Sequence, residues 1–252
     1  MILDTPKKVA FFLPNTFTAL NMGCGFASII FSWKGDFLSA CTILLLGAIF
    51  DSVDGRVARM TGTQSQFGEQ FDSLSDLISF GAAPSFMAYN YFLADYGRLG
   101  IVVAFIYLLC GALRLARFNA NITKVSSDYF QGLPIPGAAL GLIGYVLIHL
   151  EIESLRTVKV ISIAYVLFYS FLMISNIPFN SFKNSNWVKK YKKAVFFIIL
   201  LIIGLVISYT KYMVVTLITT YVAFSLIYFF KNKGKFEHIF EWSNDNEDEE
   251  DS

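Results

Sequence analysis

Apolar residues recur along this chain in long blocks, not in the short alternation of strands or the one-sided stripe of soluble helices, and polar residues gather in brief breaks between them. A helix needs about 20 apolar residues to cross a bilayer, and several blocks approach that length. The first runs from about Asn15 to Trp33; the turn WKGD, Trp33 to Asp36, separates it from a second that starts at Phe37 and ends in an aspartate-rich segment. A third covers about Gly68 to Ala94, and DYGR, Asp95 to Arg98, leads into a fourth from Gly100 to Ala120. A polar loop follows from Asn121 to Leu133, and further blocks lie at about Ile135 to Leu150, Val158 to Ile177, Ala194 to Tyr209 and Tyr212 to Phe230. The pattern predicts an all-α, polytopic integral membrane bundle of about eight transmembrane helices.

The flanks read differently. Thr5 to Asn15 mixes Lys7 and Lys8 with apolar residues, which predicts an interfacial amphipathic helix within residues 1–14, ended by Pro14. Residues 15–185 form the main helical block, residues 186–230 additional helices, and residues 231–252 an acidic tail whose NDNEDEEDS end predicts a solvated, disordered segment.

Composition strengthens the membrane reading: of 252 residues, 55% are hydrophobic and 15% charged, against a soluble average of about 25% charged. The net charge of +1 gives no reason to expect a nucleic-acid partner. Cys24, Cys41 and Cys110 fall within apolar blocks without paired spacing and read as packing residues. Basic residues gather on one side of the predicted topology, where Lys7, Lys8, Arg56, Arg59, Lys124 and the KKYKK run at Lys189 to Lys193 all fall. The opposite side holds Lys34, Arg98, Arg156, Lys159 and Lys211. Because basic loops stay in the cytoplasm, both termini and the aspartate segment are expected there, in a cell-membrane protein.

Four aspartates carry the chemistry. Asp51 and Asp54 share a helix face near the end of the second block, and Asp72 and Asp76 share one near the start of the third. The connection between them is short, so the two helices are expected to be antiparallel neighbours that bring both pairs to one pocket at the membrane edge. Ionised groups at the bilayer centre cost at least about 2.5 to 3.5 kcal/mol each, so a positive partner is required. Arg56 and Arg59 compensate in part; hard carboxylate oxygens point to two Mg²⁺ or Mn²⁺ ions, an arrangement suited to phosphoryl transfer. Gly55 and Ala58 leave the helix surface beside the carboxylates without bulk, and Gly68 lets the two helices pack tightly. A cation-coupled transporter with intramembrane carboxylates is the alternative at this point.

The run Asp51-x2-Asp54-Gly55-x2-Ala58-Arg59-x8-Gly68-x3-Asp72-x3-Asp76 resembles the signature of the CDP-alcohol phosphatidyltransferase family. That resemblance implies a homodimeric membrane enzyme that transfers a phosphatidyl group from a CDP-activated lipid to an alcohol and releases CMP. It implies Asp51, Asp54, Asp72 and Asp76 as metal ligands, Gly55, Ala58, Arg59 and Gly68 around the cytidine, and Asp76 as general base for the acceptor hydroxyl.

The acceptor is suggested by other segments. LPNTFTALNMGCGF (Leu13 to Phe26), GALRLARFN (Gly111 to Asn119), FQGLPIPGAA (Phe130 to Ala139) and, more divergently, SNIPFNSFK (Ser175 to Lys183) resemble the phosphatidylserine synthase branch, so CDP-diacylglycerol and L-serine are the expected substrates. Glycerol 3-phosphate and inositol phosphate remain rival acceptors. Arg114 and Arg117, three residues apart, are expected to present two guanidinium groups to a carboxylate or phosphate. Asn21, Asn119 and Lys183 are further candidates for substrate contacts.

Overall fold

A computed structural model describes residues 5–120, 129–152, 159–180, 204–205 and 208–231. Helix α1 spans Thr5–Trp33 and α2 spans Phe37–Thr61, and the two pack side by side. Asp36 caps the start of α2 by accepting the Ser39 amide at 3.1 Å, and Ser39 holds its carboxyl below the usual range. Gly62, with φ of 64°, ends α2 in the left-handed region, a conformation that costs glycine no steric penalty. Three residues later Ser65 accepts the Gly68 amide at 3.1 Å and opens α3, Gln66–Asp76. The chain thus reverses tightly between the two aspartate pairs.

From α3 the backbone stays helical while changing pitch. A π-helical turn at Leu77–Ala82 leads into α4, Ala83–Ala88, then a second π turn at Tyr89–Leu93 and a 3₁₀ turn at Ala94–Tyr96. Pro84 lies inside this run and cannot donate to the Phe80 carbonyl one turn back. The buried Tyr107 hydroxyl donates to that carbonyl instead, at 3.2 Å. Helix α5, Arg98–Ala120, follows, then α6 (Ile135–Glu151), α7 (Lys159–Ile174) and α8 (Thr210–Lys231).

The main core lies where α5, α6 and α7 meet the α4 run, and contains Phe80, Tyr107, Ile135, Leu142, Tyr169 and Phe179, all almost fully buried. A second cluster of Cys41, Leu44, Ala83, Met87, Ile143 and Leu147 joins α2, α4 and α6. Phe26, Ile49, Phe105, Phe171 and Ile227 face outward, as a bilayer solvent permits.

Among the described residues α2, α5 and α8 are long and apolar enough to cross a membrane, and Ile135–Glu151 and Ile161–Ile174 are shorter apolar helices. Each predicted block from Asn15 to Ile177, and the last one, coincides with helix. The predicted span at Ala194 to Tyr209 falls largely outside the described residues, as do Lys124, Lys183, the KKYKK run and the acidic tail.

Two local expectations are corrected. The helix predicted to stop at Pro14 continues through it without a break to Trp33. A proline in a helix interior costs about 3 kcal/mol, and Pro14 is buried here, where packing offsets part of that cost. The fold is also not purely helical. Strands β1, Tyr129–Gln131, and β2, Pro178–Asn180, pair antiparallel with Phe130 opposite Phe179. Gly132 and Leu133 extend the join by donating to the Ile177 and Leu172 carbonyls at 2.9 Å each.

Candidate active site

Helix periodicity determines the geometry of the aspartates. Asp51 and Asp54 sit one turn apart on α2, Asp72 and Asp76 one turn apart on α3, and the Gly62 reversal sets the two pairs against each other. Asp51, Asp72 and Asp76 each offer a carboxylate oxygen, and the three oxygens lie within 4.8 Å of one another. Asp51 and Asp76 are close enough for each charge to act on the other. Asp54 is the odd member: it is 5% exposed, and its Oδ2 accepts the Thr18 hydroxyl of α1 at 2.9 Å.

Three carboxylates at this separation repel strongly in a medium poorer than water at screening charge. Among the described residues, Oδ1 of Asp72 and Oδ1 of Asp76 are nevertheless buried without a hydrogen-bond partner. Orphaned, converging, hard anionic oxygens match the donor set of a divalent cation such as Mg²⁺ or Mn²⁺, so these residues fit the group that the sequence implies.

Beside the cluster a pocket of about 210 Å³ opens between α1, α2 and α3. Asp54 and Asp72 lie on its wall together with Gly55, Ala58, Arg59 and Gly68. All four non-acidic residues expected around the nucleotide therefore line one cavity. The sequence reading missed the α1 side of that cavity, Pro14, Asn15 and Thr18, as well as Glu69 and the Thr63 to Ser65 turn. Their signal was faint. Pro14 and Thr18 are one helical turn apart on α1, which marks a shared face but not what it meets.

The helices are held close by small residues. Ser75 and Ser79 donate to the Thr18 and Asn21 carbonyls of α1 at 3.0 and 2.9 Å. A Cβ on Gly25 would lie 2.7 Å from the Ser79 Cα, so only glycine permits this approach. Asn21 is fully buried, and neither atom of its side-chain amide has a partner among the described residues. Asn119 donates to the Ser73 hydroxyl at 3.0 Å, next to Asp72.

The two arginines part company. Arg114 is 7% exposed, its charge acts on Asp76, and its guanidinium lies 5.2 Å from the centre of the Phe118 ring. Arg117 is engaged by the protein: Nη1 donates to Ile174 O at 2.9 Å and Asn176 Oδ1 at 3.4 Å. Its Nη2 donates to the Gln131, Met173 and Ser175 carbonyls at 2.8, 3.1 and 3.2 Å. It thus ties the end of α5 to the end of α7 and to β1, and the i,i+3 spacing does not give the two guanidinium groups one task. Lys183 lies outside the described residues.

Residues 11–172 match the family described as CDP-alcohol phosphatidyltransferase. A CDP-diacylglycerol–serine O-phosphatidyltransferase of Helicobacter pylori is 38% identical over 203 residues, 80% of this chain and 84% of that protein. An archaetidylserine synthase of Methanothermobacter thermautotrophicus is 39% identical over 177 residues, 69% of this chain and 72% of its own. A CDP-diacylglycerol–serine O-phosphatidyltransferase of Methanocaldococcus jannaschii is 40% identical over 171 residues, 68% of this chain and 75% of its own. The match spans α1 through α7, including every aspartate of the cluster and the pocket beside it, and the chain belongs to the CDP-alcohol phosphatidyltransferase family.

Proposed function

We propose that this membrane protein transfers the phosphatidyl group of CDP-diacylglycerol to the hydroxyl of L-serine, forming phosphatidylserine and releasing CMP. The observation that carries the reading is the three-carboxylate cluster of Asp51, Asp72 and Asp76 set against a pocket lined by the remaining motif residues. The choice of serine rests on the relatives, whose names specify serine whether the lipid is a diacylglycerol or an archaetidyl group.

Each residue has a distinct task in this reading. Gly55, Ala58 and Gly68 present a surface flat enough for the cytidine to lie against the helices, with Arg59 at the rim for the diphosphate. Asp51, Asp54, Asp72 and Asp76 would hold the divalent cations. Mg²⁺ or Mn²⁺, when bound, offsets diphosphate charge and stabilises the leaving oxygen. Asp76 accepts the serine hydroxyl proton as the oxygen attacks the lipid-linked phosphorus, and the bond from that phosphorus to the CMP oxygen breaks with its electron pair leaving on CMP. Arg114, buried near Asp76, anchors the carboxylate of serine or a lipid phosphate. Asn21 and Asn119 supply polar contacts near the acceptor, and Lys183 an anionic contact from beyond α7.

The same reading places about eight helices across the cell membrane, with both termini and the site on the cytoplasmic side and two copies forming a homodimer. The N-terminal turns of α1, which carry Lys7 and Lys8, sit at the cytoplasmic headgroup level, continuous with the part of the helix inside the bilayer. The test is CMP release by purified protein with CDP-diacylglycerol, Mn²⁺ and one alcohol at a time. Serine-dependent release that EDTA abolishes supports the reading. Release with glycerol 3-phosphate or inositol phosphate alone overturns the acceptor, and release with no alcohol overturns the reaction.

A further inference from the structure

Thr18 is a residue of α1 that touches both aspartate-bearing helices. Its side chain is 3% exposed, and its hydroxyl lies 2.9 Å from Asp54 Oδ2 on α2 and 3.2 Å from the Pro14 carbonyl. A threonine hydroxyl carries one proton, and the shorter contact goes to the charged acceptor, where a hydrogen bond is about twice as strong as to a neutral one. The backbone carbonyl of the same residue accepts the Ser75 hydroxyl at 3.0 Å, one residue before Asp76 on α3. One position therefore contacts Asp54 through its side chain and the neighbour of Asp76 through its backbone.

Asp54 is the motif carboxylate that stands apart from the three-oxygen cluster, although it shares a pocket wall with Asp72. Its Oδ1 lies against the adjacent Gly55 amide, so the Thr18 bond to Oδ2 fixes the rotation of the carboxylate. Without that bond a buried carboxylate oxygen would lose its donor and the side chain would be free to turn. We propose that Thr18 is a positioning residue that orients the Asp54 carboxylate for divalent-cation binding, while its carbonyl ties α3 to α1. The inference rests on the metal reading given above.

The test is Mn²⁺ binding to the full-length chain in detergent, without substrate, followed by the loss of the free-ion electron paramagnetic resonance signal. Thr18→Val keeps the shape and removes the donor; partners that orient metal ligands typically contribute about 10- to 100-fold in affinity, and a weakening in that range is expected. Thr18→Ser restores the hydroxyl and is expected to bind within about threefold of wild type. Apparent Tm in EDTA reports the fold separately from the metal. If Thr18→Val does not fold, the pair Thr18→Ala and Thr18→Ser makes the same comparison. Binding by the hydroxyl-free variant equal to wild type, or failure of serine to restore it, overturns the role of Thr18. Absence of Mn²⁺ binding by the wild-type chain overturns the metal reading and this inference with it.

Discussion

Arg117→Met isolates what the guanidinium does for the fold. The substitution keeps the aliphatic stem and removes a fork that donates to four backbone carbonyls and the Asn176 side chain. Met173 and Ile174 belong to the last turn of α7, whose carbonyls have no partner within the helix. A cation at a helix C-terminus also opposes the negative end of the dipole. The two shortest bonds, at 2.8 and 2.9 Å, dominate; at about 1.5 kcal/mol each, the low end for charged donors, they total about 3 kcal/mol. For a chain of this size each kcal/mol moves Tm by about 2–4 °C, so a fall of about 6–12 °C is expected. The assay is the apparent Tm of the detergent-solubilised protein at a fixed scan rate, read by intrinsic fluorescence. A Tm within about 2 °C of wild type, combined with a large rise in KM for serine or the CDP-lipid, would refute the reasoning and return the guanidinium to substrate.

Three further outcomes follow from the same geometry. Asp72→Asn removes one charge from the three-oxygen cluster, and is expected to abolish CMP release and weaken Mn²⁺ binding while leaving the apparent Tm in EDTA unchanged or raised, since like charges are relieved. Arg114→Ala is expected to raise KM for one anionic substrate by at least about tenfold with a small effect on Tm, because its guanidinium makes no hydrogen bond within the described residues; unchanged KM for both substrates removes its assigned role. Gly25→Val drives a side chain into the Ser79 backbone, where even a Cβ would sit at 2.7 Å. Such overpacking costs about 1–3 kcal/mol or more, read as a loss of apparent Tm.

Much of this architecture was legible because helix periodicity and bilayer thickness are strong constraints. Asp51 with Asp54, and Asp72 with Asp76, had to share faces, and a short connection had to bring the pairs together. The boundaries of α5 and α6 fall close to the apolar blocks because a span ends where its hydrocarbon match ends. What stayed hidden depends on contacts between helices, which no local pattern encodes. Thr18 reads as one polar residue in an apolar run until Asp54 and Ser75 are seen beside it. Ser75 and Ser79 look like ordinary small residues until their hydroxyls meet α1 carbonyls.

Pro14 misled for a related reason. The local penalty for an interior proline is real, but a membrane helix with a buried contact at that residue continues past it. Arg114 and Arg117 show the limit of spacing arguments. Three residues along a helix shift a side chain by about 4.5 Å and part of a turn. That is enough to bury one guanidinium near Asp76 and give the other to the α7 terminus.

If the aspartate cluster and its pocket transfer a phosphatidyl group to serine, CMP release depends on both the carboxylates and the acceptor. The most direct measurement is CMP release from CDP-diacylglycerol by the purified protein in Mn²⁺, comparing serine, glycerol 3-phosphate, inositol, inositol phosphate and choline side by side, with phosphatidylserine identified as product. Release that requires serine, stops with EDTA and is lost in Asp72→Asn is the predicted result. Release unaffected by EDTA, or equal in Asp72→Asn, would mean that the aspartate cluster does not drive the reaction.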